Sequence, residues 1–405
     1  MTGYIFRIGC TMTNEITDQN NLSKDILNTN VKRVVVKAGS GLLTGGGENL
    51  NLGILSILVE QIATLNKAGI DVLLVSSGAV AAGRRVIGVL DDEPNLPMRQ
   101  ALAAVGQGRI MHSYEQLFGE HGISVAQALL SRNDFSRRLS YLNVRNTLLA
   151  LMDWDVVPII NENDVVAVDE LSEGVFGDND TLSSMVATMV EADLLILLGE
   201  VDGLFTSDPN IDPDAELIQE VTHIDQTIFA AGGPSICNLG RGGMTTKIEA
   251  AILAVAAGVN MVISSGLTKD VIIRLVNGEQ IGTLFHALTT KMENRKRWML
   301  TNISKESQIH IDEGAEKAIV YRQSSLLSPG ISKVIGEFER GEVILICDSN
   351  SHQIACGISN YSSSDLAKIA GMKSDQFEMI LDVNFGDEIV HRDNMVILAG
   401  VENGI

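Results

Sequence analysis

A three-layer α/β/α sandwich on a mainly parallel sheet, followed by a smaller mostly-β domain, is the architecture that this 405-residue sequence predicts. Three observations carry that expectation. Up to about residue 265, short apolar runs closed by glycine or polar clusters alternate with amphipathic helical segments. Beyond Lys291 the runs shorten, alternate in polarity and are broken by Gly and Pro turns. The chain is also too long for one compact core, so two domains are expected.

The elements follow in order. Val31 to Lys37 is a β-branched run that ends in a Gly-rich loop through Gly47, and Leu50 to Ala68 has amphipathic helical spacing stopped by Gly69. Asp71 to Ser76 is a near-continuous apolar strand, and the pattern returns at Val156 to Ile160. It returns again at Leu194 to Leu198 after the helical Thr181 to Ala192, and at Met261 to Ser264 after the helical Lys247 to Ala257. Strand–helix–strand units with strands buried on both faces mean a parallel sheet. In the last hundred residues, Gln308 to Ile311, Ala318 to Val320 and Glu342 to Ile346 read as short strands, with one helical candidate, Ser363 to Ala370. The predicted divisions are an N-terminal extension over 1–30, a catalytic domain over 31–292 and a β-domain over 298–399.

Net charge narrows the choice of partners. At −21 the chain repels nucleic acid and anionic membranes, and equally repels small anionic substrates. A site for anions must therefore concentrate its own positive groups. Cys10, Cys237, Cys347 and Cys356 form no CxxC pair, the histidines are scattered, and no zinc site is expected. Free thiols in a reducing cytosol are the expected state. The opening segment is polar and Asn-rich without a basic leader, and no run has the length of a membrane span, so a cytoplasmic protein is expected.

Glycines and polar groups gather at the carboxyl ends of the predicted strands, where open α/β sheets bind ligands. Lys37-Ala-Gly-Ser-Gly41 and Ser76-Ser-Gly-Ala79 are two such ends, and each Gly-rich loop also reads as a plain tight turn. Lys37, at an apolar strand's end, calls for a partner charge unless it snorkels to the surface. Asn161-Glu-Asn-Asp164 offers an amino-acid-binding edge or an Asx-rich turn. In Gly177-Asp-Asn-Asp180 one aspartate reads equally well as an N-cap. Gly240-Arg-Gly-Gly-Met-Thr-Thr-Lys247 sets glycines, hydroxyls and a lysine at a helix start, an anion-binding design. Lys37 and Lys247 are thus placed to flank a transferring phosphoryl group, with Asp180 holding both ammonium groups.

These segments, with Ala103-Ala-Val-Gly-Gln107 and the junction Glu293 to Trp298, resemble the amino-acid kinase family, in particular the branch that acts on free glutamate and carries a C-terminal PUA domain. The resemblance runs from about Val34 to about Met395. It implies an amino-acid kinase fold and ATP-dependent phosphorylation of the γ-carboxylate of L-glutamate, the first step of proline biosynthesis. By the same resemblance Lys37 and Lys247 contact the phosphates, Asp180 organises both lysines, and Ser77, Asp164 and Asn179 hold glutamate. Lys37, Gly199, Glu200 and the run Arg241, Gly242, Gly243, Met244, Thr245, Thr246 and Lys247 fall where the nucleotide binds. Mg2+ is expected to arrive with ATP, with no protein ligand named. A homo-oligomer, dimer or tetramer, and feedback by L-proline are further implications.

Three departures stand out against that pattern. Gly199-Glu200 replaces a usual Thr-Asp, Gly41 replaces a small polar residue, and extra residues surround Leu171 to Gly174. The alternatives are a sister kinase acting on another carboxylate or a carbamate, an RNA-binding protein working through the PUA-like domain, and a dead scaffold. Acidic residues outnumber basic ones from Arg295 onward, so nucleic acid is not expected. Lys37, Asp180 and Lys247 are all present, which argues against a scaffold.

Overall fold

The computed structural model describes residues 31–47, 49–88, 95–166, 179–209, 211–232, 243–288, 307–381 and 383–398. The expectations for residues 1–30, Leu171 to Gly174, Gly177 and Asp178, Gly240 to Gly242 and the 293–298 junction lie outside them, as do Cys10 and Cys237. Two compact units emerge. One comprises the chain up to Asp134 together with Arg145–Thr289; the other comprises Phe135–Val144 together with the chain from Thr290.

In the first unit the strands are β1 (Arg33–Ala38), β2 (Asp71–Val75), β3 (Val125–Leu130), β4 (Val157–Glu162), β5 (Leu194–Gly199), β6 (Glu220–Val221), β7 (Asn260–Ser265) and β8 (Thr283–Phe285). The helices over residues 40–276, in chain order and irrespective of unit, are α1 (Ser40–Thr44), α2 (Leu52–Lys67), α3 (Ala79–Ile87), α4 (Leu96–Glu120), α5 (Arg132–Ser136), α6 (Arg138–Asp153), α7 (Asn179–Met189), α8 (Gln226–Ala231), α9 (Met244–Ala256) and α10 (Val271–Val276). The strands form one sheet in the order β3-β4-β2-β1-β5-β7-β8-β6. All its neighbours run parallel except the β7–β8 pair. Strand order moves one way from β1 to β2 and the other way to β5, so the β1–β5 seam is the switch point where such sheets open a crevice.

Alternation along β1 fixes what each face sees. Val34, Val36 and Ala38 join a core with residues of α2, α4 and α10. Val35 and Lys37 consequently point to the opposite face, where α7 packs on β1 and β5. Helices α3 and α4 meet backbone to backbone. A Cβ on Gly106 would stand 1.8 Å from the Ala79 carbonyl oxygen, and one on Gly83 would stand 1.9 Å from that of Leu102. Only glycine permits that approach.

The second unit holds a five-stranded sheet in the order β11-β9-β12-β13-β15 and a two-stranded pair of β10 with β14. These strands are β9 (Gln308–Ile311), β10 (Leu326–Leu327), β11 (Ile331–Ile335), β12 (Val343–Cys347), β13 (Gln353–Ile358), β14 (Glu388–Val390) and β15 (Met395–Ile397). The predicted strand at Ala318 to Val320 is instead part of α11 (Glu313–Arg322), and a further helix, α12 (Ser363–Ile369), follows where a helix was expected. Helix α11 has a local cause: Asp312 caps it by accepting from the Ala315 N–H, and Glu313 pairs with Lys317 one turn on. The apolar triplet was too short to distinguish strand from helix.

Candidate active site

Because the central strands are parallel, their carboxyl ends lie along one edge, and the candidate residues gather there. Lys37 stands in register with Val75 of β2 and Leu197 of β5, one residue from the end of β1. It is 4% exposed, so the snorkelling alternative fails. Its ammonium forms a close ion pair with Asp180 Oδ1. Lys247 Nζ lies 3.1 Å from Asp180 Oδ2, and Thr246 Oγ1 is 3.0 Å from the same oxygen.

Asp180 itself is fully buried in the first turn of α7. Its carboxylate turns to the two lysines, so it does not serve as an N-cap. Burial alone would push its pKa up. The ammonium groups of Lys37 and Lys247, by charge and hydrogen bonding, more than offset that and hold the carboxyl far below the usual carboxylate range. Two ammonium groups thus converge on one carboxylate, in a place where burying charge is costly.

The surrounding helices hold the trio in place. Ser184 Oγ donates to the Ala250 carbonyl at 2.8 Å, joining α7 to α9 and so fixing Asp180 relative to Lys247. At the far end of α7, buried Arg145 donates through Nε to the Met189 carbonyl at 3.0 Å, putting a cation where the helix dipole favours one. Helix α9 begins at Met244, so Met244, Thr245, Thr246 and Lys247 are its first turn rather than a loop before it. Gly243 is its N-cap and supplies no side-chain acceptor, and a helix start of this kind favours an anion. Arg241 and Gly242 lie outside the described residues.

Beside the trio runs a polar network from β2, β4 and α7. Asn179 Nδ2 donates toward the Ser76 carbonyl at 3.0 Å, Ser77 Oγ at 3.1 Å and Asn161 Oδ1 at 3.1 Å. Three acceptors around that nitrogen set the amide's orientation. They leave Asn179 Oδ1 buried with no hydrogen-bond partner among the described residues. Asn161 Nδ2 donates to Gln107 Oε1 at 2.8 Å, and Ser76 Oγ is 3.0 Å from the Tyr114 hydroxyl. Burial pushes the Tyr114 phenol up to about 12, partly relieved by the Ser76 bond. Asp164 is half-buried just past the end of β4. Gln107 and Tyr114 were not among the predicted site residues; both lie on α4, and only the backbone approach of α3 and α4 brings that helix to the end of β2.

Gly199 closes β5, and a Cβ there would stand 3.8 Å from Lys247 Cε. Glu200 follows it, with its carboxylate turned to α1. Among the described residues no group of three or more His, Cys, Asp or Glu side chains could hold a metal, and no helix is long and apolar enough to cross a membrane.

Comparison with known proteins assigns both parts of the chain to families. Residues 32–265 match the amino acid kinase family, and residues 307–381 match the PUA domain. A glutamate 5-kinase of Dehalococcoides mccartyi is 47% identical over 367 residues, covering 91% of this chain and 98% of that protein. Glutamate 5-kinases of Caldanaerobacter subterraneus and Herpetosiphon aurantiacus are each 44% identical, covering 90% of this chain and 98% of theirs.

Proposed function

This chain belongs to the amino acid kinase family, and on that premise we propose that it is a glutamate 5-kinase, transferring the γ-phosphoryl group of MgATP to the side-chain carboxylate of L-glutamate. The buried Lys37–Asp180–Lys247 trio is the observation that carries this reading, because it gathers two ammonium groups at the switch point of the sheet. The activity places the protein at the first step of proline biosynthesis, in the cytoplasm.

The chemistry needs little from side chains beyond placement and charge. A carboxylate is already ionised near neutral pH, so the γ-carboxylate oxygen attacks the γ-phosphorus without a protein base. The new O–P bond forms in line as the bond to the β,γ-bridging oxygen breaks, yielding L-glutamyl 5-phosphate and ADP. Lys37 and Lys247 neutralise the charge that spreads over the phosphoryl oxygens, and Asp180 keeps both ammonium groups aimed before the nucleotide arrives. Magnesium enters as part of the nucleotide substrate, held by its phosphates. The first turn of α9, with Gly243, Met244, Thr245 and Thr246, receives phosphate oxygens; Arg241 and Gly242 precede it in the sequence, and Gly199 and Glu200 complete the nucleotide side.

Ser77, Asp164 and Asn179 hold the amino acid. The partnerless Asn179 Oδ1 and the Asp164 carboxylate are acceptors suited to a free α-ammonium group. N-acetylglutamate lacks that group, so these acceptors favour free glutamate over the sister substrate. Within this reading residues 31–292 form the catalytic domain and 298–399 the PUA-like domain, the enzyme is a homo-oligomer, and L-proline is its feedback inhibitor.

The test is ATP-dependent acyl phosphate formation, trapped with hydroxylamine, on glutamate, aspartate and N-acetylglutamate, with Lys247→Ala as control. Activity confined to glutamate and lost in the variant supports the assignment. Activity on another acid moves the substrate to a sister kinase, and no activity on any acid with folded protein and magnesium overturns it.

A further inference from the structure

Gly41 and Glu200 lie on different elements, one in α1 after β1 and the other just past β5, and they meet. A Cβ on Gly41 would stand 2.7 Å from Glu200 Oε2, 3.0 Å from its Cδ and 3.4 Å from its Oε1. Gly46, just past the end of α1, would place a Cβ 3.6 Å from Oε1. The Glu200 carboxylate thus occupies the space that a side chain at position 41 would fill.

The backbone offers no other reason for glycine at position 41. Gly41 lies inside α1 without a positive φ, so alanine fits its conformation and would ordinarily be neutral or mildly stabilising. The close atoms are the far end of a flexible, exposed side chain, so an added methyl group would displace the carboxylate rather than disrupt the fold. Among the described residues Glu200 takes no hydrogen bond or ion pair from the protein, which leaves its acceptor capacity for a ligand.

We propose that Gly41 is a positioning residue for Glu200: by presenting no side chain it seats that carboxylate at the joined ends of β1 and β5, where it takes part in holding the nucleotide. The consequence is a one-way dependence, in which position 41 matters only through Glu200. This rests on the nucleotide reading given above. A site in which the Gly41 hydrogens face the phosphates directly would lack that dependence.

MgADP binding by titration calorimetry tests it on the full chain, with Gly41→Ala, Glu200→Ala and the double variant, because this readout does not depend on which acid is phosphorylated. Gly41→Ala should raise the Kd about fivefold, and Glu200→Ala by a similar factor. In the Glu200→Ala background Gly41→Ala should change nothing, and Tm should move by no more than about 1 °C in any variant. An equal loss from Gly41→Ala in both backgrounds, or no loss in either, overturns the pair. A parent chain that binds no MgADP overturns the nucleotide reading, and the proposal falls with it.

Discussion

The two units of this chain bury charge in different ways. Among the described residues, the α/β unit buries Lys37, Arg145, Asp180 and Lys247, three of them in mutual contact at the strand ends. The β-rich unit buries one charged group, Asp348, and that carboxylate is used up by its own turn, accepting from the N–H groups of Asn350 and His352 and from the His352 ring. A carboxylate closed on its own turn is accounted for by local structure. Two lysines converging on one carboxylate from three separate elements are not, since apolar side chains would pack there at lower cost. The contrast teaches that the charges worth explaining by function are those the fold assembles from a distance.

The strongest challenge to that contrast is Asp180→Ala. It leaves two buried ammonium groups without their shared partner and should cost about 3–5 kcal/mol in urea unfolding at neutral pH. Because the folded pKa of Asp180 is depressed, its contribution is complete above the unfolded value of about 4 and is lost as pH falls below it. The parent should therefore lose stability between about pH 4 and pH 2 more steeply than the variant. Equal acid slopes would remove the charge argument.

Next in size is Gly106→Ala, whose methyl group would press on the Ala79 carbonyl and part α3 from α4. A loss of about 1–3 kcal/mol is expected, with a raised KM for glutamate because Ser77 leads directly into α3 and Gln107 lies on α4. Asn179→Ala removes the donor shared by Ser77 and Asn161; KM for glutamate should rise about tenfold while Kd for MgADP stays put. A matching change in nucleotide affinity would show that the two half-sites are not separate.

The smallest expected effect belongs to Tyr114→Phe. Loss of its bond to Ser76 should cost about 1 kcal/mol. The folded phenol titrates near 12 and the unfolded one near 10, so the native state holds the extra proton between those values and stability falls as pH rises through that window. The phenylalanine variant should lack this alkaline decline.

Much of this was legible in the sequence, for physical reasons. Buried parallel strands leave unbroken apolar runs, so β1, β2, β4, β5 and β7 could be read, as could the helices that become α2, α7 and α9. Strand β3 was missed because it is half-exposed and its Val-Ala-Gln-Ala-Leu-Leu run carries neither strict alternation nor continuous burial. Lys37, Asp180 and Lys247 could be singled out because polar groups at apolar strand ends and helix starts are costly. Gln107 and Tyr114 could not, because they sit mid-helix and reach the site only through a glycine-mediated helix crossing. The contact of Gly41 with Glu200 was equally hidden: residues 159 positions apart give no local signal.

The most direct test of the central claim is kcat for glutamate phosphorylation by Lys37→Met beside Asp348→Asn, both measured as folded full-length chains. If the buried trio stabilises the transferring phosphoryl group, Lys37→Met should lower kcat by about a hundredfold to a thousandfold with little change in KM for glutamate, and Asp348→Asn should leave kcat untouched. A Lys37→Met enzyme that keeps parental kcat would contradict the account, and the trio would then be structural, like the turn at Asp348.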